Sequence, residues 1–296
     1  MSNRQLYEIG ELNLRFNVSL RQTVYSHGWV QLAPWEWNPD HNCISRKELL
    51  DGKNIVFLCL SQVTPKSFLI KSDKCDLNQN QVNILKRRAI RWISGEWNPE
   101  GAIQIARRLN SHIALYLKQG GGRFLRSSTF YEDLVKTICT INTNWASTVH
   151  MIKALVSQSE GECFPNPTQV SNLGSEFLKQ NTRMGFRSDV VYRVSQFFAE
   201  LNVGTELEDD VQVNPTKEGL LNFKGLGPYS ANHMMMLSLD FSSIPIDSEV
   251  SSYCKEWYGL GPHEIDAFFD PWGEYKVLGY KLDRTLRSQK WRDSLK

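Results

Sequence analysis

No CxxC pair occurs among the six cysteines, Cys43, Cys59, Cys75, Cys139, Cys163 and Cys254. Thiols scattered in this way supply neither a zinc ligand set nor the clustered C-terminal cysteines of an iron-sulfur cluster, and they do not form the disulfide framework of a small secreted domain. We read all six as reduced and mostly as small apolar packing groups. The opening segment, MSNRQLYEIGELNLRF, lacks the apolar core of a signal peptide, and no apolar run is long enough to cross a bilayer. A cytoplasmic location without a membrane partner is therefore expected. A large charge of either sign is missing too. With 34 Lys plus Arg against 32 Asp plus Glu, the formal net charge is +2, so any polyanionic partner must be argued from local features. Internal repeats and long low-complexity stretches are also lacking.

What is present is enough chain for two cores. At 296 residues the sequence exceeds the usual size of one compact domain. Residues 11 to 72 hold short β-type segments, LNLRFNVSL, GWVQLAPWEW and KNIVFLCLSQV, broken by Pro34, Pro39, Asp51-Gly52 and Pro65. That spacing predicts a small antiparallel sheet. In QVNILKRRAIRWIS the apolar residues Val82, Leu85, Ala89 and Trp92 recur at helical intervals, and a second helix is expected after Pro99. Gly120-Gly121-Gly122 marks a hinge before RFLRSS, and the remainder reads as helical, with TFYEDLVKTICTI, SDVVYRVSQFFAEL and ANHMMMLSL as its strongest runs. The expected architecture is α+β and mainly α: an N-terminal sheet-plus-helix domain over 1–120 and an all-helical domain over 121–296.

The segment from Leu220 to Val250, LLNFKGLGPYSANHMMMLSLDFSSIPIDSEV, carries the most chemistry. It reads as helix, then Gly225-Leu226-Gly227, then a second helix with Pro228 in its first turn, where a missing N–H costs nothing. Amides exposed at a helix N-terminus suit a phosphate, and Lys224 adds charge beside them while Ser230 adds a hydroxyl. Such glycines also serve plain chain reversal in an αα-hairpin. Asp247 follows the extended Ile244-Pro245-Ile246 and precedes Ser248-Glu249-Val250, a setting that also suits a helix N-cap.

This segment resembles the helix-hairpin-helix motif, with its Gly/Pro-rich loop and trailing aspartate, of the HhH-GPD DNA glycosylase superfamily, and is most similar to the 3-methyladenine DNA glycosylase II type. The resemblance extends from about Thr129 to Tyr280. It implies that Lys224, Gly225, Gly227 and Ser230 hold a DNA phosphate, with the main-chain carbonyls of Leu221, Phe223 and Leu226 around a monovalent cation, K+ or Na+. No other cofactor is implied. Asp247 is implied as the catalytic carboxylate, because breaking an N-glycosidic bond builds positive charge on the sugar that a fixed carboxylate stabilises while it orients water. Tyr229 and His233, four apart on one helix face, are implied as lining for a flipped base, together with Trp272 in DPWGEYKVLGYKLD and Trp145. EDLVKTICTINTNWASTVHMIKALV places Asn142 where an asparagine fills the space left by the extruded nucleotide, with Asn144 nearby. RMGFRSDVVYRV places Phe186 as the wedge and Arg187 against the orphaned partner base. HGWVQLAPWEWN resembles the domain preceding the glycosylase core in alkylation-repair enzymes.

Bifunctional members carry a lysine two residues after the second hairpin glycine, where this chain has Tyr229. A monofunctional, monomeric hydrolase acting on modified or alkylated bases in double-stranded DNA is therefore expected, leaving an abasic site. Two alternatives stay open. The same chemistry serves against bulky modified cytosines of phage DNA, as antiviral defence, and a non-catalytic DNA-binding module would use the hairpin with Asp247 as a cap alone.

Overall fold

The computed structural model describes residues 4–50, 54–201 and 216–288. The fold is α+β, an antiparallel sheet near the N-terminus followed by helices. Five strands come first: β1 (Tyr7–Asn13), β2 (Glu36–Asn38), β3 (Cys43–Leu50), β4 (Asn54–Gln62) and β5 (Ser67–Ser72), with the short helix α1 (Leu20–Val24) between β1 and β2. Among the described residues nine α-helices lie before Leu201: α1 is followed by α2 (Gln79–Trp92), α3 (Glu100–Leu109), α4 (Ser111–Lys118), α5 (Phe130–Thr140), α6 (Trp145–Val156), α7 (Pro167–Leu173), α8 (Ser175–Thr182) and α9 (Arg187–Glu200). After the described residues resume come α10 (Lys217–Leu221), α11 (Pro228–Leu237), α12 (Ser248–Tyr258), α13 (Ile265–Phe268) and α14 (Lys276–Arg287). No helix among the described residues is long and apolar enough to cross a membrane.

The sheet order is β1-β5-β4-β3-β2, antiparallel throughout. On β3 the inward positions are Ile44, Arg46, Glu48 and Leu50, all buried. Two charges on an inward face are costly unless paired. The partners come from two helices. Arg46 forks onto both Glu132 oxygens of α5 at 2.8 Å, Lys136 one turn on reaches the same carboxylate at 2.7 Å, and Arg88 of α2 donates to Glu48 at 2.7 Å. Burial alone would raise the Glu132 pKa, but Arg46 and Lys136 hold it down at about 2. The capping and packing of α2 and α5 follow the same junction, since Trp92 Nε1 donates to Ser128 Oγ and Trp29 Nε1 to Asp133 Oδ1, each at 2.8 Å.

Cys43 and Cys59 are the exception to the expectation of six reduced thiols. They form a disulfide across β3 and β4. The register pairs Cys43 with Ser61 and Ser45 with Cys59, so the two side chains are diagonal neighbours on one face. A separation of 16 residues shows nothing of this until the hairpin register is known. Cys139, Cys163 and Cys254 are buried and free, and Cys75 is exposed.

The described chain divides into two compact units. The first holds the described residues up to Glu96 and those from Arg123 to Leu201, so the sheet is grouped with α2 and α5 to α9. The second holds Trp97–Gly122 and the described residues from Thr216, which groups α3 and α4 with α10 to α14. The glycine tripeptide expected to be a hinge lies at one crossing between units, and a second crossing falls at 96/97. The segment after it is anchored rather than free. Arg123 and Arg126 are buried, Arg123 Nε donates to Asn17 O at 3.2 Å, Arg126 pairs with Glu96, and Thr129 caps α5. In the second unit Trp97 meets Phe241 edge to face at 5.3 Å, and Ala102, Ala106, Ile113 and Leu117 are buried.

Candidate active site

The two helices around Gly225-Leu226-Gly227 form as the sequence spacing requires. α10 starts at the Thr216 cap and α11 starts with Pro228 at its first position. Gly225 has φ +104, a region that glycine adopts readily and that strains a residue carrying a Cβ. A Cβ on Gly227 would meet no atom within 4 Å, so the space on that side of the turn is open. Lys224 is exposed beside it. Ser230, the third residue of α11, is by contrast 2% exposed. The carbonyls of Leu221, Phe223 and Leu226 flank the turn. Leu221 ends α10, where a carbonyl lacks a helical partner, while Phe223 O accepts the Leu226 amide at 3.0 Å. Such oxygen donors fit a hard monovalent cation. Among the described residues no group of His, Cys, Asp or Glu could hold a metal ion.

Beyond α11 the chain passes Phe241 and runs without helix or strand over Ile244–Asp247, where the Asp247 backbone is extended. Ile244 and Pro245 are buried, and the Asn232 side chain of α11 donates to Ile244 O at 3.0 Å. That bond links the hairpin helix directly to the segment bearing the aspartate. Asp247 is the N-cap of α12: Oδ1 accepts from Val250 N at 2.8 Å. Its other oxygen accepts no hydrogen bond from a described residue. The cap thus fixes the carboxylate through one oxygen.

Around this carboxylate lie groups that sequence reading did not single out. Lys281 on α14 interacts electrostatically with Asp247, Glu249, Arg284 and His233, and Arg284 pairs with Glu249. Burial and then Arg284 hold the Lys281 pKa below the ordinary lysine range. On a helix judged by periodicity, a lysine in GYKLD reads as solvent-facing, so it gave no signal. His233 is 8% exposed and packs against Tyr229, edge to face at 5.8 Å. Its pKa is pushed down to about 3, by burial first and by Lys281 second, so the ring is neutral at physiological pH. Trp272 is buried against α14: a Cβ at Gly279 would come within 2.6 Å of the indole. Gly279 is thus the seat of that tryptophan.

The remaining expected residues belong to the first unit. Asn142 is exposed with φ +47, Asn144 caps α6 through Ser147 N at 2.9 Å, and Trp145 donates from Nε1 to Gln31 at 2.7 Å while its ring lies over Gly28. Phe186 is 57% exposed. Arg187 is 8% exposed, and its guanidinium donates to the carbonyls of Ile141, Asn142 and Met184. The phenylalanine before it was distinguishable in sequence only as apolar, and the arginine only as charged.

No family model and no curated protein sequence matches the chain. Solved structures do. A 3-methyladenine DNA glycosylase from Archaeoglobus fulgidus superposes with a TM-score of 0.71 at 13% identity, covering 94% of this chain and 98% of that one. The chain has the fold of that DNA glycosylase. An 8-oxoguanine glycosylase/lyase from Clostridium acetobutylicum shares it with a TM-score of 0.65 at 16% identity over 96% and 99% of the two chains. The same Clostridium enzyme bound to double-stranded DNA, with cytosine opposite 8-oxoguanine, gives 0.63 at 15% identity over the full length of both. The glycosylase fold therefore spans both compact units, including the N-terminal sheet, where the sequence resemblance was faintest.

Proposed function

We propose that this chain is a monofunctional DNA glycosylase: it binds double-stranded DNA, extrudes a modified base and hydrolyses the bond between that base and the sugar. The observation that carries the reading is Asp247. Its carboxylate follows a segment pinned to the hairpin helix by Asn232, one oxygen is fixed by the Val250 amide, and the other accepts no hydrogen bond from a described residue. As the base departs, positive charge grows on the deoxyribose ring, and a carboxylate held in place stabilises it without reorganising. Water then adds at the anomeric carbon, giving its proton to the carboxylate or the leaving base.

The amides at Gly227 and the charge of Lys224 supply a phosphate grip next to the same helix, and carbonyls of Leu221, Phe223 and Leu226 supply oxygen donors for K+ or Na+. Neutral His233, beside Tyr229, suits a pocket for an uncharged or alkylated base, and the fold is shared with a protein whose name states action on 3-methyladenine. Tyr229 stands where a lyase lysine is expected, which supports hydrolysis alone.

The test uses duplexes carrying single defined lesions, alkylated purines first, with products resolved before and after hot alkali. Strand scission that needs alkali, and that vanishes with Asp247→Asn, is the expected result. Scission without alkali contradicts the monofunctional assignment; unchanged activity in Asp247→Asn removes that residue from the chemistry.

A further inference from the structure

We propose that Arg187 is a positioning residue that acts from beneath the surface, tying the Asn142 tip and the Phe186 tip into one two-pronged element of fixed spacing. The proposal rests on the glycosylase reading, since prongs that enter a duplex are what need such spacing. The two tips are distant in sequence: residues 141–144 join α5 to α6, and residues 183–186 join α8 to α9. Arg187 touches both. Nε donates to Ile141 O at 2.8 Å, Nη2 donates to Ile141 O and to Asn142 O, the latter at 2.9 Å, and Nη1 donates to Met184 O at 3.2 Å. The guanidinium carbon also lies 4.5 Å from the centre of the Phe186 ring.

Each contact answers a local need. Ile141 and Asn142 follow the end of α5, where carbonyls lose their helical partners, and Asn142 holds φ +47. In the second tip Arg183 and Gly185 both hold φ +58. Left-handed residues in short loops persist where the surroundings over-determine them, and a planar fork of donors is the side chain able to hold carbonyls from two loops at once. Met184 is buried between two exposed positions, so the second tip is rooted while Phe186 projects. The arginine is spent inward, and the exposed prongs are left for the duplex.

The experiment has two readouts on the full chain. The first is hydrogen exchange of the free protein, wild type against Arg187→Gln. Faster exchange in both tips together, with α5 and α9 unchanged, is expected; exchange altered in neither tip, or in one alone, overturns the clamp. The second is titration of a duplex bearing a stable tetrahydrofuran abasic analogue opposite 2-aminopurine. Wild type should raise the fluorescence as the fluorophore unstacks, Arg187→Gln should weaken binding at least tenfold and lose most of the rise, and Arg187→Lys should recover part of both. Asn142→Ala should add less than twofold to the Arg187→Gln defect, because both act on one element. Independent, multiplying effects overturn the proposal, as does a Gln variant that unstacks like wild type. A wild type that neither binds nor unstacks overturns the glycosylase reading and the proposal with it, a result distinct from failure of the clamp alone.

Discussion

Aspartate and asparagine cap helices about equally well, yet only aspartate carries a charge. At Asp247, where Oδ1 already serves Val250 N, that difference separates the cap from the proposed chemistry. Asp247→Asn should keep its thermal midpoint within a few degrees while the excision rate drops on the order of a hundredfold or more. His233 makes the opposite kind of prediction. Its pKa of about 3 in the fold lies below the roughly 6.5 of an unfolded chain, so the unfolded state binds the extra proton between those values. Stability is therefore complete above about pH 6.5 and declines as pH falls through the window toward 3. Urea unfolding should lose about 2 kcal/mol from this group between pH 7 and pH 5, and His233→Phe should abolish that slope. Neither behaviour is visible in the residue type; both follow from what surrounds it.

Elements carry the next level of constraint. The hairpin between α10 and α11 turns on Gly225 at φ +104, and Gly225→Ala should cost about 1 to 3 kcal/mol in denaturant melts and weaken DNA binding by moving the amides of the turn. The β3, α2 and α5 junction turns on charge. Removing one member of a buried ion pair leaves its partners uncompensated, so Glu132→Gln, which takes the ion-pair partner from Lys136 and leaves Arg46 with Glu48 alone, should destabilise by about 3 to 5 kcal/mol. The wild-type carboxylate, with its pKa held at about 2, contributes stability above the ordinary glutamate value near 4.3 and loses it as pH falls through 2. The alternation Ile44, Arg46, Glu48, Leu50 offered no warning that β3 buries charge. Period-two patterning assigns polar residues outward, and the paired charges on α2 and α5 that reverse the assignment are 40 to 90 positions away.

At the scale of the whole chain, the helical half of the sequence serves two cores. Composition changes at the glycine tripeptide, which suggested a cut near residue 120, but Trp97–Gly122 groups with the residues from Thr216. A fragment of residues 1–120 therefore carries α3 and α4 without Phe241 and the helices they pack with. It should expose Ala102, Ile113 and Leu117, bind a hydrophobic dye and aggregate. A native-like spectrum from that fragment would show that the second unit does not need its C-terminal part.

The elements themselves were legible in the chain: the early sheet, the amphipathic helices, the hairpin with Pro228 at the start of α11, and Asp247 after Ile244-Pro245-Ile246. Local backbone preference and hydrophobic period act over a few residues, and a sequence displays them directly. Partnership was decided by the tertiary structure. Lys281 beside Asp247 and His233, Arg187 turned inward to Ile141 and Asn142, Ser230 buried, and Cys43 bonded to Cys59 all depend on which distant segments meet. Burial and neighbouring charge set what each side chain can do, and neither exists until the chain has closed on itself.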